Sequence, residues 1–164
     1  MYEVMMLFRE LTRKKQQLSN EECIELLKAE KRSVLSVIGD DGYPYGMPMN
    51  HFYDENDGCI YFHCGKGGHR IEALEKCNKV SVCVYDKGTE KEGNWALDVK
   101  SVIVFGKVEI ITDAEQVADI TTKLSYKFTQ DEEYIQREIK SAVHKTVLLR
   151  LVPEHICGKL VNES

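Results

Sequence analysis

The chain of 164 residues contains no apolar run of the length, about 18 residues, that a membrane-spanning helix requires. Nor is there an excess of basic charge. Lys and Arg number 22 against 27 Asp and Glu, a formal charge of −5, which lacks the basic footprint of a general nucleic-acid binder. Proline is scarce, with three in the chain, and no low-complexity tract occurs, which argues against long disorder. The six cysteines (Cys23, Cys59, Cys64, Cys77, Cys83, Cys157) include no CxxC pair, so no zinc knuckle is indicated and no metal site is predicted. The opening residues, MYEVMMLFREL, show no small-residue cleavage pattern. The expectation is a cytoplasmic chain with reduced thiols.

What is present reads as one domain over residues 1–164, with 1–18 as a charged N-terminal arm, solvated or part of a dimer contact. Ser19 and Glu22 have the spacing of a capping box, and Cys23, Leu26 and Leu27 recur on one helical face behind them. Strands follow. Val34 to Ile38 ends in Gly39-Asp40-Asp41-Gly42, a hairpin signal. Tyr45 to Tyr53 reads as a second strand with Pro48 at its middle, which demands an edge, a bulge or a ligand in place of a strand neighbour. From Cys59 to Cys64 the alternation puts Cys59, Tyr61 and His63 on one face and Ile60, Phe62 and Cys64 on the other. Val80 to Tyr85 and Val99 to Ile111 are further strands, and Gly106 predicts a bend or bulge in the second. Thr112 and Glu115 predict a helix towards Tyr126, and another runs from about Asp131 to Ala142. Thr146 to Val152 is the expected last strand, before a short polar tail. The fold class is α+β, a small, mostly antiparallel barrel with helices at its ends.

The segment Tyr61-Phe62-His63-Cys64-Gly65-Lys66-Gly67-Gly68-His69-Arg70 carries the chemistry. A strand runs into a glycine loop and then a helix start, with Lys66 and Arg70 beside it. Free N–H groups, the helix dipole and two cations suit a phosphate dianion. A glycine turn with solvated cations is the alternative for this segment taken alone. Neither a Walker loop nor a G-x-G-x-x-G fingerprint is present.

Arg32-Ser33-Val34-Leu35, Asp41-Gly42-Tyr43-Pro44, Met47-Pro48-Met49-Asn50, Tyr61-Phe62-His63-x-x-Lys66-x-Gly68, Ile71-Glu72-Ala73-Leu74 and Lys100 to Gly106 stand in a telling order. With the closing Gly158-Lys159, the pattern over about residues 8 to 160 resembles the pyridoxamine-phosphate-oxidase-like FMN-binding split barrels, nearest the nitroimidazole-resistance branch. The resemblance implies a split β-barrel that binds FMN as a homodimer, in clefts between protomers. It further implies that Pro48, Met49 and Asn50 line the flavin ring, and that Lys66, Gly67, Gly68, His69 and Arg70 hold the phosphate. His63 would sit beside flavin and substrate as the catalytic residue, and Ser101 would border the pocket. His69 stands where many relatives carry arginine, which weakens the phosphate charge at neutral pH. The implied activity is an NAD(P)H-dependent oxidoreductase acting on small organic substrates, nitroaromatics among them. Arg150-Leu151-Val152-Pro153 is similar to the end of the true oxidases, so pyridoxamine or pyridoxine phosphate oxidation is one alternative. A flavin- or haem-binding sensor or store without turnover is another. His51, on the face of Met49 and Tyr53, reads as structural.

Overall fold

Ser19 opens the first helix as its spacing predicts. Its hydroxyl accepts from the Glu22 N–H at 3.2 Å, and the Glu22 carboxylate accepts from the Ser19 N–H at 3.0 Å. Helix α1 (Asn20–Ala29) then buries Cys23, Leu26 and Leu27 against the sheet. The structure, a computed structural model, describes residues 8–93 and 95–163.

Strands β1 (Arg32–Ile38) and β2 (Pro44–Asn50) form the expected hairpin, with Asp41 and Gly42 at positive φ in the turn. The single strand expected from Tyr45 to Tyr53 is broken at His51, and Phe52–Asp54 forms a separate strand, β3. The cause is local. The His51 ring is fully buried with its Nε2 donating to the Leu27 carbonyl at 2.8 Å, and the His51 carbonyl accepts from Lys127 Nζ at 3.1 Å. There the His51 N–H is held by the Lys31 carbonyl and the His51 carbonyl by a lysine side chain, outside the regular ladder.

Strand β4 (Cys59–Gly65) leads through the glycine turn into α2 (His69–Lys76), then β5 (Lys79–Tyr85), the short β6 (Thr89–Glu90) and the long β7 (Leu97–Ile111). Helices α3 (Ala114–Ser125) and α4 (Glu132–Ala142) precede β8 (Thr146–Asn162). The cap of α3 is Asp113, one residue beyond the expected Thr112, because it is the Asp113 carboxylate that reaches the Gln116 N–H, at 2.9 Å. Every strand pairing is antiparallel, in the order β2-β1-β5-β7-β8-β4-β3, with β6 folded back on β7. This is the α+β half-barrel expected.

The spine of the sheet is β7 against β8. The expected end at Val152 is incorrect, since β8 continues through Pro153 to Asn162. Proline is tolerated there because the register slips at Phe105/Gly106: Phe105 faces His155 while Gly106 faces Pro153. Gly106 is required at this bulge, for an added Cβ would strike the Val152 carbonyl.

Two apolar clusters result. Ile60 and Phe62 face the larger one with Leu35, Val82 and Val104, whereas Cys59 and Tyr61 face a smaller one beneath α3 with Val117, Ile120 and Leu148. The alternation read for β4 is observed, with both faces covered. Residues 8–18 run along β8 with most of their side chains exposed, anchored at the two ends. Leu18 is buried and donates its N–H to the Gly158 carbonyl at 3.0 Å, and Phe8 stacks on His155 with ring centroids 4.8 Å apart. The arm's first seven residues fall outside the described range. No described helix is long and apolar enough to cross a membrane.

Candidate functional site

Strand β2 lies at one edge of the sheet, with β1 on one side and no strand on the other. That resolves the Pro48 question: its missing donor falls on an edge strand. Pro48 is exposed, Asn50 is half-buried, and the Met49 side chain points into the core while its carbonyl accepts from Ser33 Oγ at 3.2 Å. Along the outer face, Pro48 pairs with Val34, Val34 with Cys83 and Cys83 with Ile103. Ser101, half-buried, sits two residues from Ile103 on that same face, opposite Tyr85.

The glycine turn leaves β4 at Gly65. Gly68 caps α2 at φ +98°, a conformation that favours glycine, and no side chain caps the helix. The first intrahelical bond runs from the Glu72 N–H to the Gly68 carbonyl, so the N–H groups of the first turn have no intrahelical acceptor. Gly65 and Gly67 are different. Neither has a positive φ, and a Cβ at either would meet nothing within 4 Å. Lys66 is exposed and forms no ion pair among the described residues.

Arg70 and His69 tie this turn to β2. Arg70 Nε donates to Met47 Sδ at 3.0 Å, and the His69 ring stacks on Tyr45 with centroids 4.4 Å apart. His69 Nε2 also lies 3.5 Å from the Asp40 carboxylate, so its charge would be shared with an acid. Met47, Tyr45 and Asp40 were not singled out in the sequence. Only long-range side-chain contacts from the start of α2 bring them here.

His63 faces the other way, into a cavity of about 260 Å³ between β4 and the α3–α4 pair. Desolvation by the surrounding walls lowers its pKa, although the residue stays exposed to water. Within one chain this cavity includes neither Pro48 nor the loop cations. It does include Thr146, the register partner of Gly65, and so reaches the base of the glycine turn. The lining residues Val117, Thr121 and Ser125, and Tyr134, Glu138 and Ala142, recur at i, i+4, i+8. Taken alone, that repeat resembles any half-exposed helix face, and only the packing of the two helices over β4 makes it a cavity wall.

His51 is structural, as read. Burial and the nearby Lys127 charge lower its pKa to about 4. Arg150 is held by Asp57 at 3.6 Å and Glu109 at 3.4 Å and is not free for a substrate phosphate. Trp95 is largely exposed. Cys64 lies half-buried beside the larger core, its thiol pKa raised by burial against the pull of Arg70.

The sequence model of the pyridoxamine 5'-phosphate oxidase family matches residues 19–160. No curated protein sequence matches. Among solved structures, a protein provisionally named for 5-nitroimidazole antibiotic resistance, from Bacteroides thetaiotaomicron, is similar at 22% identity and a TM-score of 0.75, over 89% of this chain and 87% of that one. An FAD-binding protein from Mesorhizobium loti gives 24% and 0.64, over 89% and 97%. An FAD- and haem-binding protein from Mycobacterium smegmatis gives 19% and 0.70, over 91% and 74%.

Proposed function

Because this chain belongs to the pyridoxamine 5'-phosphate oxidase family, we propose that it is an FMN-binding oxidoreductase that takes hydride from NAD(P)H and reduces a small organic substrate, with nitroaromatics as the first class to test. The observation that carries the reading is the glycine turn. Gly65 and Gly67 are required by neither backbone conformation nor crowding within the chain, so their bare surface is best explained by something outside the chain coming close. An uncapped helix start and an unpaired lysine beside them suit a phosphate monoester.

The residues present fit the group. Lys66, the N–H groups at the start of α2 and the Arg70 guanidinium would hold the phosphate, with His69 partly neutralised by Asp40. The free edge of β2 at Pro48, Met49 and Asn50 would offer main-chain groups to the flavin ring, and Ser101 would border it. Bound FMN would supply the hydride and electron transfer. His63, which opens on the cavity, is the candidate catalytic residue, able as an imidazolium to pass a ring proton to a reduced substrate. A structural relative named for FAD binding supports flavin binding in general, and one named for nitroimidazole resistance makes nitroaromatics the class to test first.

We propose a homodimer for the same reason. Ile103 and Phe105 are 38% exposed each on the outer sheet face that carries Ser101, and a second copy would cover them and close the flavin cleft. Engagement of Arg150 by two carboxylates speaks against pyridoxamine phosphate as substrate.

The test is an absorption spectrum of the purified protein before and after FMN addition, then anaerobic NADH or NADPH. Flavin bands that bleach, and return on adding a nitroaromatic, support the enzyme. Protein that stays colourless after reconstitution overturns flavin binding. Flavin that never bleaches leaves a carrier, and a Soret band points to haem.

A further inference from the structure

Away from the glycine turn, three lysines line one cavity of about 370 Å³ where α1, β3 and the end of α3 meet. Two of them are ordinary ammonium groups held by acids. Lys28 pairs with Glu55 at 3.0 Å, and Lys123 with Asp119 at 2.8 Å. Lys127 differs. Half-buried just past α3, it has no carboxylate within ion-pair distance among the described residues, and its Nζ donates to two main-chain carbonyls, Glu30 at 2.6 Å and His51 at 3.1 Å.

That geometry suits a free amine as well as an ammonium. An ammonium has three N–H donors, and two of them are used here. A neutral amine keeps the same two bonds and carries its lone pair in the remaining tetrahedral position. Burial and the nearby Lys31 charge favour the amine, lowering the Lys127 pKa to about 8 against the pull of Glu30. Phe52 and Tyr53 supply aromatic surface in the same lining, and the volume lies within the ~300–1,000 Å³ of small-molecule sites.

We propose that Lys127 is a covalent capture site, whose free amine attacks the carbonyl carbon of a small, uncharged aromatic aldehyde seated in this cavity and holds it as a reversible imine. Nζ forms the C–N bond, and the two amine hydrogens leave with the carbonyl oxygen as one water. A proton from solvent then makes the iminium, whose single N–H returns to the Glu30 carbonyl. One cation replaces another, so Asp54 and Glu55 in the same lining face an unchanged charge. The capture needs no flavin.

The test treats the purified protein with benzaldehyde and cyanoborohydride at neutral pH, so that hydride fixes each imine as a benzylamine, and locates the adducts by peptide mass spectrometry. Lys127 should be labelled about tenfold faster than the exposed Lys15. The α-amino group, which titrates at about 8 without a cavity, is the control for basicity. Excess benzyl alcohol, which fills the cavity without reacting, should slow labelling of Lys127 about tenfold and leave the α-amino label unchanged. Lys127→Arg retains donors for both carbonyls; it should lose this adduct alone and keep its melting temperature within a few degrees. Labelling of Lys127 no faster than that of Lys15, or labelling that benzyl alcohol does not slow, overturns the assignment. Should the arginine variant fail to fold, the competition on the unaltered chain decides. Protein that takes up no FMN is labelled all the same, so the flavin reading and this one fail separately.

Discussion

At Gly106 an added methyl group would run into the Val152 carbonyl and come within 3.1 Å of Pro153 Cα; at Gly67 it would meet nothing within 4 Å. Both glycines sit where the chain leaves regular pairing, one at a bulge in the β7–β8 spine and one in the turn before α2. The fold accounts fully for the first. For the second it offers no reason, because that glycine has neither crowding nor a positive φ. Closed and open regions of the same sheet thus use one residue type for opposite purposes: to let two backbones meet, and to leave a surface bare. The two histidines follow the same division. His51 is sealed against Leu27 inside the closed region, and His63 faces a cavity.

The comparison can be broken at its strongest point first. Gly106→Ala should cost about 4 kcal/mol, since only backbone stands in the way and backbone cannot turn aside. Urea denaturation reads this directly, and a loss below 1 kcal/mol would mean the spine is looser than described. Next comes acid. His51 takes up a proton near 6.5 when unfolded and only near 4 when folded, so the unfolded state binds more protons between these values. Stability should therefore be full above pH 6.5 and fall by about 3 kcal/mol as pH drops to 4. His51→Gln keeps a donor for the Leu27 carbonyl and removes the titration; its pH profile should be flatter over that range, and parallel profiles would contradict the sealed site.

In the open region the effects should appear in ligand affinity, with folding spared. Lys66→Ala with Arg70→Ala should weaken FMN about a hundredfold while the melting temperature moves by only a few degrees. Full flavin retention in the double variant would remove the phosphate role from the turn. The smallest effect sharpens the contrast most: Gly67→Ala should leave stability within about 0.5 kcal/mol and weaken FMN about tenfold. A variant that loses stability but keeps its affinity would place Gly67 with Gly106.

Much of this division was legible in sequence, because the signals are local. Ser19 with Glu22, the Gly39 to Gly42 turn, the glycine loop ahead of a helix and the mid-strand Gly106 each act within a few residues. Pro48, through its own missing donor, left an edge, a bulge or a ligand open, and the sheet order decides for the edge. What stayed hidden depends on distant partners. Pro153 reads as a strand end until Gly106 is known to lie across from it. Likewise, Tyr45 to Tyr53 reads as unbroken until Leu27 and Lys127 claim the two ends of His51. Of the candidate site, the loop and the β2 segment were read from the sequence, but the cavity over His63 was not. Its lining combines one strand with two helices whose polar stripe resembles any half-exposed face.

The sheet order also bears on how a nascent chain reaches this state. β4, which ends in the glycine turn, has the three-residue β3 on one side and β8 on the other. A polypeptide emerging from its amino end thus presents β1, β2 and β5 to one another early, while β4 keeps one edge unmatched until Thr146 to Leu151 arrive to cover it. The turn that would grip a cofactor is translated before the midpoint of the chain but acquires its support from the final strand. Cofactor capture on the ribosome should accordingly lag behind formation of the β1–β2–β5 layer, and a chain stalled before Thr146 should carry that layer without a working site.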